Sequence, residues 1–181
     1  FDDIQKEVGT LHLIAQKGRK QNFDPEPFVD ITLAKNMAER VTGLISVVAP
    51  HIANTTITER IIELEGKYGA LDWRVALEIA LEVAQEKFCQ FKDKKEAIEI
   101  GIRTGFAYQT CGIVSAPLEG FIELKIKKTR DGNEYFAPCY AGPIRGAGGT
   151  AAAFSLLITD FVRKKLVYAK FDPTENEINR Y

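Results

Sequence analysis

The stretch AGPIRGAGGTAAAFSLLITDFVRKKL, residues 141–166, decides how the rest of the chain is read. Gly146, Gly148 and Gly149 carry no Cβ, so the loop can take positive φ and let another backbone approach closely. Thr150 is a favoured N-cap, and Phe154, Leu157, Ile158, Phe161 and Val162 recur at the spacing of one helical face, which predicts a long helix opening at the loop. The positive end of that helix, with Arg145 beside it, is a place that favours an anion, a phosphate first of all. A tight connection that binds nothing is the plainer reading of the same glycines.

Upstream of the loop the pattern is that of a hairpin. In GFIELKIK, residues 120–127, Ile122, Leu124 and Ile126 alternate with Glu123, Lys125 and Lys127, which predicts a half-buried strand with a charged outer face. RDGN at 130–133 supplies a turn, and YFAPCYA at 135–141 a return strand that Pro138 confines to an edge or a bulge. Beyond the helix, LVYAKF at 166–171 reads as one more strand and DPTENE at 172–177 as the cap of a further helix.

Residues 1–112 read instead as nearly all helix. Phe1, Ile4, Val8, Leu11 and Ala15 follow steps of three and four, with Leu13 and Ile14 on a neighbouring strip. That surface is either a bundle contact or a docking face for a partner subunit, with Phe1, Ile4, Val8 and Leu11 as the contacts and residues 1–18 as the docking segment. KGRKQNFDPEPF at 17–28 is a polar connection. Helices are predicted at 31–49, at 57–68 behind a capping box formed by Thr56 and Glu59, and from Trp73 through Phe88 with Asp72 as cap. A fourth runs from Lys94 to Thr110. The fold class expected is therefore α+β, with a helical part (1–112) followed by a smaller αββα part (113–181).

Length and composition bound the function. A chain of 181 residues holds one ordinary domain or two small ones, and 45% hydrophobic with 27% charged residues fits a soluble globular protein. No apolar run is long enough to span a bilayer, and FDDIQKEVG is unlike a signal sequence, so a cytoplasmic location without membrane contact is expected. Cys89, Cys111 and Cys139 stand far apart without CxxC spacing, which suggests neither a disulfide framework nor a zinc site. The net charge of −1 hides a division: residues 1–112 hold 14 Lys+Arg against 17 Asp+Glu, residues 113–170 hold 9 against 5, and residues 171–181 hold 1 against 3. The glycine loop thus lies in the basic part, a modest pointer to a polyanion.

GAGGTA at 146–151 fits a relaxed dinucleotide fingerprint, and Asp172 stands where a ribose carboxylate would, but the two prolines and the arginine of the preceding stretch do not suit a buried parallel strand. No lysine follows the glycines, which argues against a P-loop. Gly146 to Gly149 also reads GxxG, the clamp of KH modules on single strands, and the order of elements is similar to that fold. His12 and His51 are isolated, Ser115 and Glu119 have no histidine near them in sequence, and no carboxylates are spaced as in a two-metal site. No catalytic or metal-binding residue is therefore assigned.

Three blocks carry a more specific match. GIVSAPLEG at 112–120, YAGPIRGAGGTA at 140–151 and DFVRKKL at 160–166 resemble, in the same order and at similar spacing, the N-terminal region of the large subunit of archaeal family D DNA polymerases. The upstream helices, including KGRK at 17–20, are similar as well, so the resemblance covers essentially the whole chain. Gly146 and Ala147 stand where the family usually has serines, and Cys139 where it often has an aromatic residue. What the resemblance implies is part of a replicative, DNA-directed DNA polymerase that works with a small, nuclease-bearing subunit. The zinc sites, the metal-binding aspartates that use magnesium, and any contact with the sliding clamp are implied for the remainder of such a protein; no cofactor is expected in these residues, which alone would be inactive. Arg145, Gly146, Gly148, Gly149 and Thr150 are then the expected contacts to a DNA phosphate, or to an internal carboxylate, with Lys125, Lys127, Arg163, Lys164 and Lys165 as second-rank contacts. A non-catalytic assembly module and a free-standing KH-like single-strand binder are the alternatives.

Overall fold

The structure is a computed structural model that describes residues 1–23, 33–113, 115–142, 144 and 149–180. It divides into two compact units, residues 1–36 and residues 37–181. The first unit holds helix α1 (Asp2–Lys20), with acidic residues in its first turn, basic residues in its last, and no buried residue. Pro25, Pro27 and the start of the expected 31–49 helix lie outside the described residues.

The second unit opens with α2 (Met37–Ser46), shorter than the expected helix because the chain turns through Val47 and Val48 into a 3₁₀ turn led by Pro50. There follow α3 (Ile57–Tyr68), α4 (Trp73–Ala84) and α5 (Lys94–Gln109). The Asp72 cap is present: its carboxylate accepts from Arg74 N. The Thr56 capping box is not, since Thr56 makes no side-chain cap bond and Thr55 Oγ1 accepts from Ile57 N instead. Trp73, read as part of the α4 seam, is half-exposed, and Phe88 falls beyond a helix that stops at Ala84.

That stop is a Schellman turn: Glu86 N donates to Val83 O and Lys87 N to Glu82 O, with Glu86 at φ 59°. The same pair of bonds ends α1 at Asn22 (φ 58°), α5 at Cys111 (φ 55°) and the last long helix at Val167 (φ 63°). None of these four is glycine, the residue for which the left-handed region carries no steric penalty.

Helices α4 and α5 form the centre of the unit. A Cβ placed on Gly105 would strike Ala76 O and stand 2.8 Å from Ala80 Cβ, and one on Gly101 would strike Ala80 O and stand 2.9 Å from Ala84 N. Only small residues permit backbones to approach so closely. One side of the pair faces a core of Val41, Ile45, Ile57, Ile61 and Leu64 with Val75, Ile79 and Tyr108. The other side faces Phe121, Leu124, Phe136, Ile144, Ile158 and Val162 together with Leu77, Ile98, Ile102 and Phe106. Each fully buried Leu, Ile or Phe contributes about 1.5–3 kcal/mol, so most of the driving force resides in these two clusters. Polar ties supplement them. Glu82, buried on α4, accepts from Arg60 Nε and Nη2 at 2.8 Å and from Lys87 Nζ at 3.2 Å. Tyr108 Oη donates to Glu65 Oε1 (2.7 Å) and accepts from Leu71 N (2.9 Å), fixing the α3–α4 corner where Leu71 has φ 62°.

After α5 a π-helical turn, Ser115–Gly120, leads into the antiparallel pair β1 (Phe121–Lys128) and β2 (Glu134–Tyr140). A bulge between Phe121 and Glu123 sets Phe121 and Leu124 on the inner face and leaves Ile122, expected inside, 51% exposed. Gly132 (φ 83°) makes the turn. Leu124 and Pro138 are opposite one another, and Leu124 N donates to Glu99 rather than to β2. The missing N–H of Pro138 therefore falls on the side away from β1, where it disturbs no ladder bond. Helix α6 (Gly149–Lys165) follows, then a turn, then the short α7 (Glu175–Ile178) with a complete capping box between Thr174 and Glu177. The strand expected at 166–171 is reduced to one parallel bridge, Tyr135 with Ala169, because the Schellman turn at Val167 swings the chain across β2. The architecture is α+β, mainly helical with one small antiparallel hairpin.

Candidate nucleic-acid interface

Arg145, Gly146 and Gly148 lie outside the described residues; the structure defines the two flanks of their loop. On one flank Ile144 is buried to 1% exposure against Gly120, where an added Cβ would stand 2.6 Å from Ile144 Cγ1. Ala141 N donates to Gly120 O at 2.8 Å. The glycine that closes the π-helical turn thus leaves room for the Ile144 side chain. On the other flank Gly149 is the first residue of α6 and Thr150 the second, so Thr150 is inside the helix and not its cap. Both are exposed, and nothing stands within 4 Å of the position a Cβ on Gly149 would take. They border a shallow open groove with Ala153, Phe154 and Leu157.

Of the face expected for α6, Ile158 and Val162 are buried and Phe154 and Phe161 pack on the core half-buried, while Leu157 stands outward. Ser155, Ile158, Thr159, Val162 and Arg163 are buried, whereas Leu156 and Leu157 are about half-exposed. The buried polar groups are satisfied locally. Ser155 Oγ lies 2.8 Å from Tyr140 Oη and from Ala152 O, and Thr159 Oγ1 donates to Ser155 O. Arg163, expected at DNA, donates from Nη1 to Tyr168 O (2.7 Å) and from Nε to Asp160 Oδ1 (2.8 Å). Its guanidinium closes the end of α6. Lys164 and Lys165 in the same turn are exposed, with Lys165 Nζ 5.7 Å above the Phe161 ring.

On the hairpin, Lys125 and Lys127 share the outer face of β1 with Glu123. Lys125 Nζ is 3.1 Å from Glu123 Oε1, and that carboxylate holds the ammonium above its usual range. Lys95 Nζ approaches the other Glu123 oxygen at 3.8 Å. At the hairpin tip Arg130 grips Asp172 through two 2.6 Å bonds, which lower the Asp172 carboxyl and raise the guanidinium. Among the described residues no three of His, Cys, Asp and Glu converge as metal ligands. No described helix is long and apolar enough to cross a membrane. Phe1, Ile4 and Leu11 are half-exposed on α1, with Val8 between them on the same face.

The residue that composition and spacing did not single out is Arg103. It is 5% exposed on α5, and its guanidinium donates to Pro117 O (2.7 Å), Phe121 O (2.6 Å), Ile122 O (2.6 Å) and Glu99 Oε1 (2.9 Å) while lying 4.7 Å over the Phe121 ring. Glu99 Oε2 in turn accepts from Leu124 N. This pair fastens the π-helical turn and the bulge of β1 to the helical centre, and through Gly120 it sets the position of Ile144. A Glu and an Arg four apart within residues 97–107, a stretch of α5 otherwise made of apolar and small residues, was the signal available in the sequence.

The whole chain, residues 1–181, matches the family described as DNA polymerase II large subunit DP2, N-terminal. It is 48% identical over 181 residues to the DNA polymerase II large subunit of Nanoarchaeum equitans and 46% identical over 181 residues to that of Methanococcus vannielii, in each case covering 100% of this chain and 15% of the relative. To the large subunit of Thermococcus kodakarensis it is 42% identical over 182 residues, covering 99% of this chain and 10% of the relative. The chain thus spans a small part of the length of the curated relatives it matches, and that part is the one in which the glycine loop, the hairpin and the Arg103 anchor all lie. It belongs to the N-terminal family of the DNA polymerase II large subunit.

Proposed function

We propose that the chain serves as a non-catalytic part of the large subunit of a replicative DNA-directed DNA polymerase, in which it holds DNA by phosphate contacts and supports assembly with the small, nuclease-bearing subunit. Family membership over residues 1–181 is the observation that carries this reading. The exposed lysines at 125, 127, 164 and 165 and the exposed start of α6 support the DNA contact. The half-exposed Phe1, Ile4 and Leu11 support the assembly role. In this reading residues 113–181 form the basic, KH-like part and residues 1–112 the helical support. The metal-dependent chemistry, the zinc sites and any contact with the sliding clamp fall to other residues of the full subunit, and the protein works in the cytoplasm.

Phosphate contacts are salt-sensitive and indifferent to sequence, so affinity for DNA should fall steeply between about 50 and about 200 mM salt. Replacing Lys164 and Lys165 by Glu should weaken binding to all sequences alike. Removing residues 1–18 should abolish association with the small subunit and leave DNA affinity intact. Binding that is flat with salt sinks the DNA role, and a truncation that leaves association unchanged sinks the docking role.

A further inference from the structure

The outer edge of β1 carries an inference that does not depend on the DNA reading. In the register of the hairpin, Leu124 directs its N–H away from β2, and so therefore do Ile126 and Lys128. At the start of the strand α5 fills this edge: Arg103 takes the carbonyls of Phe121 and Ile122, and Glu99 takes Leu124 N–H. From there on the edge is open. Leu124 C=O, Ile126 N–H and C=O, and Lys128 N–H have no partner among the described residues, in which the sheet has two strands. The opposite edge, that of β2, is partly covered, since Ala169 N donates to Glu134 O and Phe171 packs on Tyr135 at 5.3 Å. One edge is thus closed at one end by a charged pair and left unpaired along the rest.

We infer that this edge of β1 accepts an extended, carboxylate-rich polypeptide segment as a third strand, through the backbone groups of Leu124, Ile126 and Lys128 and the ammonium groups around them. Alternating donors and acceptors match a peptide backbone. They do not match a phosphodiester chain, whose oxygens only accept and would face the carbonyls of Leu124 and Ile126. Charge selects the partner further. Lys125, Lys127 and Lys128 lie along the strand and Lys95 beside it, against the carboxylates of Glu123 and of Glu99, the second of which is already paired with Arg103. A second copy of this strand would set lysine against lysine, the arrangement by which natural edges discourage self-pairing. A strand bearing Asp or Glu at alternate positions meets the opposite charge.

The test uses the chain itself and a fluorescein-labelled hexapeptide of alternating glutamate and valine, followed by anisotropy and by amide hydrogen exchange. The acidic peptide should bind about tenfold or more tighter than its lysine counterpart, and N-methylation of its alternate amides should remove about as much affinity again, because it blocks strand pairing without altering charge. On saturation, exchange should slow at Ile126 and Lys128. Ile126→Pro, which deletes an outward N–H as Pro138 already does on β2, should abolish binding; because Ile126 packs on the core, the methylated peptide provides the same test with the protein untouched. Equal binding of the methylated peptide, unchanged exchange at Ile126 and Lys128, or a dimer that protects those same amides would overturn the proposal. Displacement of the peptide by single-stranded DNA with loss of protection at Ile126 would place nucleic acid on the edge instead and refute it equally.

Discussion

Replacing Arg103 by Met keeps the length of the side chain and its packing on Phe121 while removing the guanidinium. The carbonyls of Pro117 and Phe121, both within buried hydrogen bonds, lose their donor, and Glu99 Oε1 loses its counter-ion. A buried carbonyl left unpaired costs about 1–3 kcal/mol, and breaking a buried ion pair from one side costs about 3–5 kcal/mol. These penalties overlap, since the same guanidinium supplies all the bonds, so the expected loss is about 3–5 kcal/mol in total. For a chain of this size each kcal/mol moves Tm by about 2–4 °C, which predicts a fall of about 6–20 °C. Thermal and urea unfolding measure it. The loss should be local first: the amide of Leu124, whose acceptor Glu99 is positioned by Arg103, should exchange faster than amides in α3. Arg103→Lys should rescue little, because an ammonium lacks the planar fork that reaches carbonyls on two sides. A double-mutant cycle with Glu99→Gln should return a coupling of about 1–3 kcal/mol. If Arg103→Met is destabilised by less than about 1 kcal/mol, the guanidinium is not what fastens the hairpin to the helices, and the reasoning fails.

Two further outcomes follow from the same geometry. Burial alone would raise the Glu82 carboxyl, but the hydrogen bonds from Arg60 and Lys87 outweigh it and hold the group below its ordinary value. A lowered folded pKa adds stability above the unfolded value of 4.5 that is lost as pH falls below it, so the acid limb of a stability profile should flatten in Glu82→Gln. Val167 is 89% exposed in the left-handed region, where a β-branched residue is strained by about 1–2 kcal/mol, part of which glycine would return as greater freedom of the unfolded chain. Val167→Gly should therefore stabilise by about 0.5–1 kcal/mol and Asn22→Gly by less, as read by calorimetry; the reverse order would contradict the strain assignment.

The elements readable from the sequence are those set by local rules. Helix α3 covers the expected 57–68 although the Thr56 box meant to start it is not formed, Asp72 caps α4, the stretch 172–177 caps a last short helix, and the hairpin turns at Gly132. What escaped depends on partners distant in sequence. On α6 Ile158 and Val162 lie inside and Phe154 and Phe161 pack on the core as expected; Ser155 and Thr159 join them because their hydroxyls are satisfied against the helix backbone and Tyr140, and Leu157 stands outward. Arg163 reads as a surface cation in a KK-flanked run, yet the turn at Val167 brings the carbonyl of Tyr168 back onto it. Ile122 follows strict alternation in sequence and is displaced by a bulge that only the carbonyl grip of Arg103 explains. Of the residues that border the glycine loop, Ile144 is buried and Gly149 is exposed.

The contact of Gly101 and Gly105 with Ala76, Ala80 and Ala84 has a consequence for how this unit can change over time. Two helices in near-backbone contact have no side-chain layer to absorb a gain in volume, so a methyl group added on either must be answered by a displacement of the whole neighbouring rod. Since both apolar clusters are built on that pair, such a displacement would loosen the α2–α3 side and the hairpin side at once. Gly101 and Gly105 are therefore held as glycine, and the alanines facing them to side chains no larger than a methyl, while the surrounding leucines and isoleucines remain at liberty to trade places.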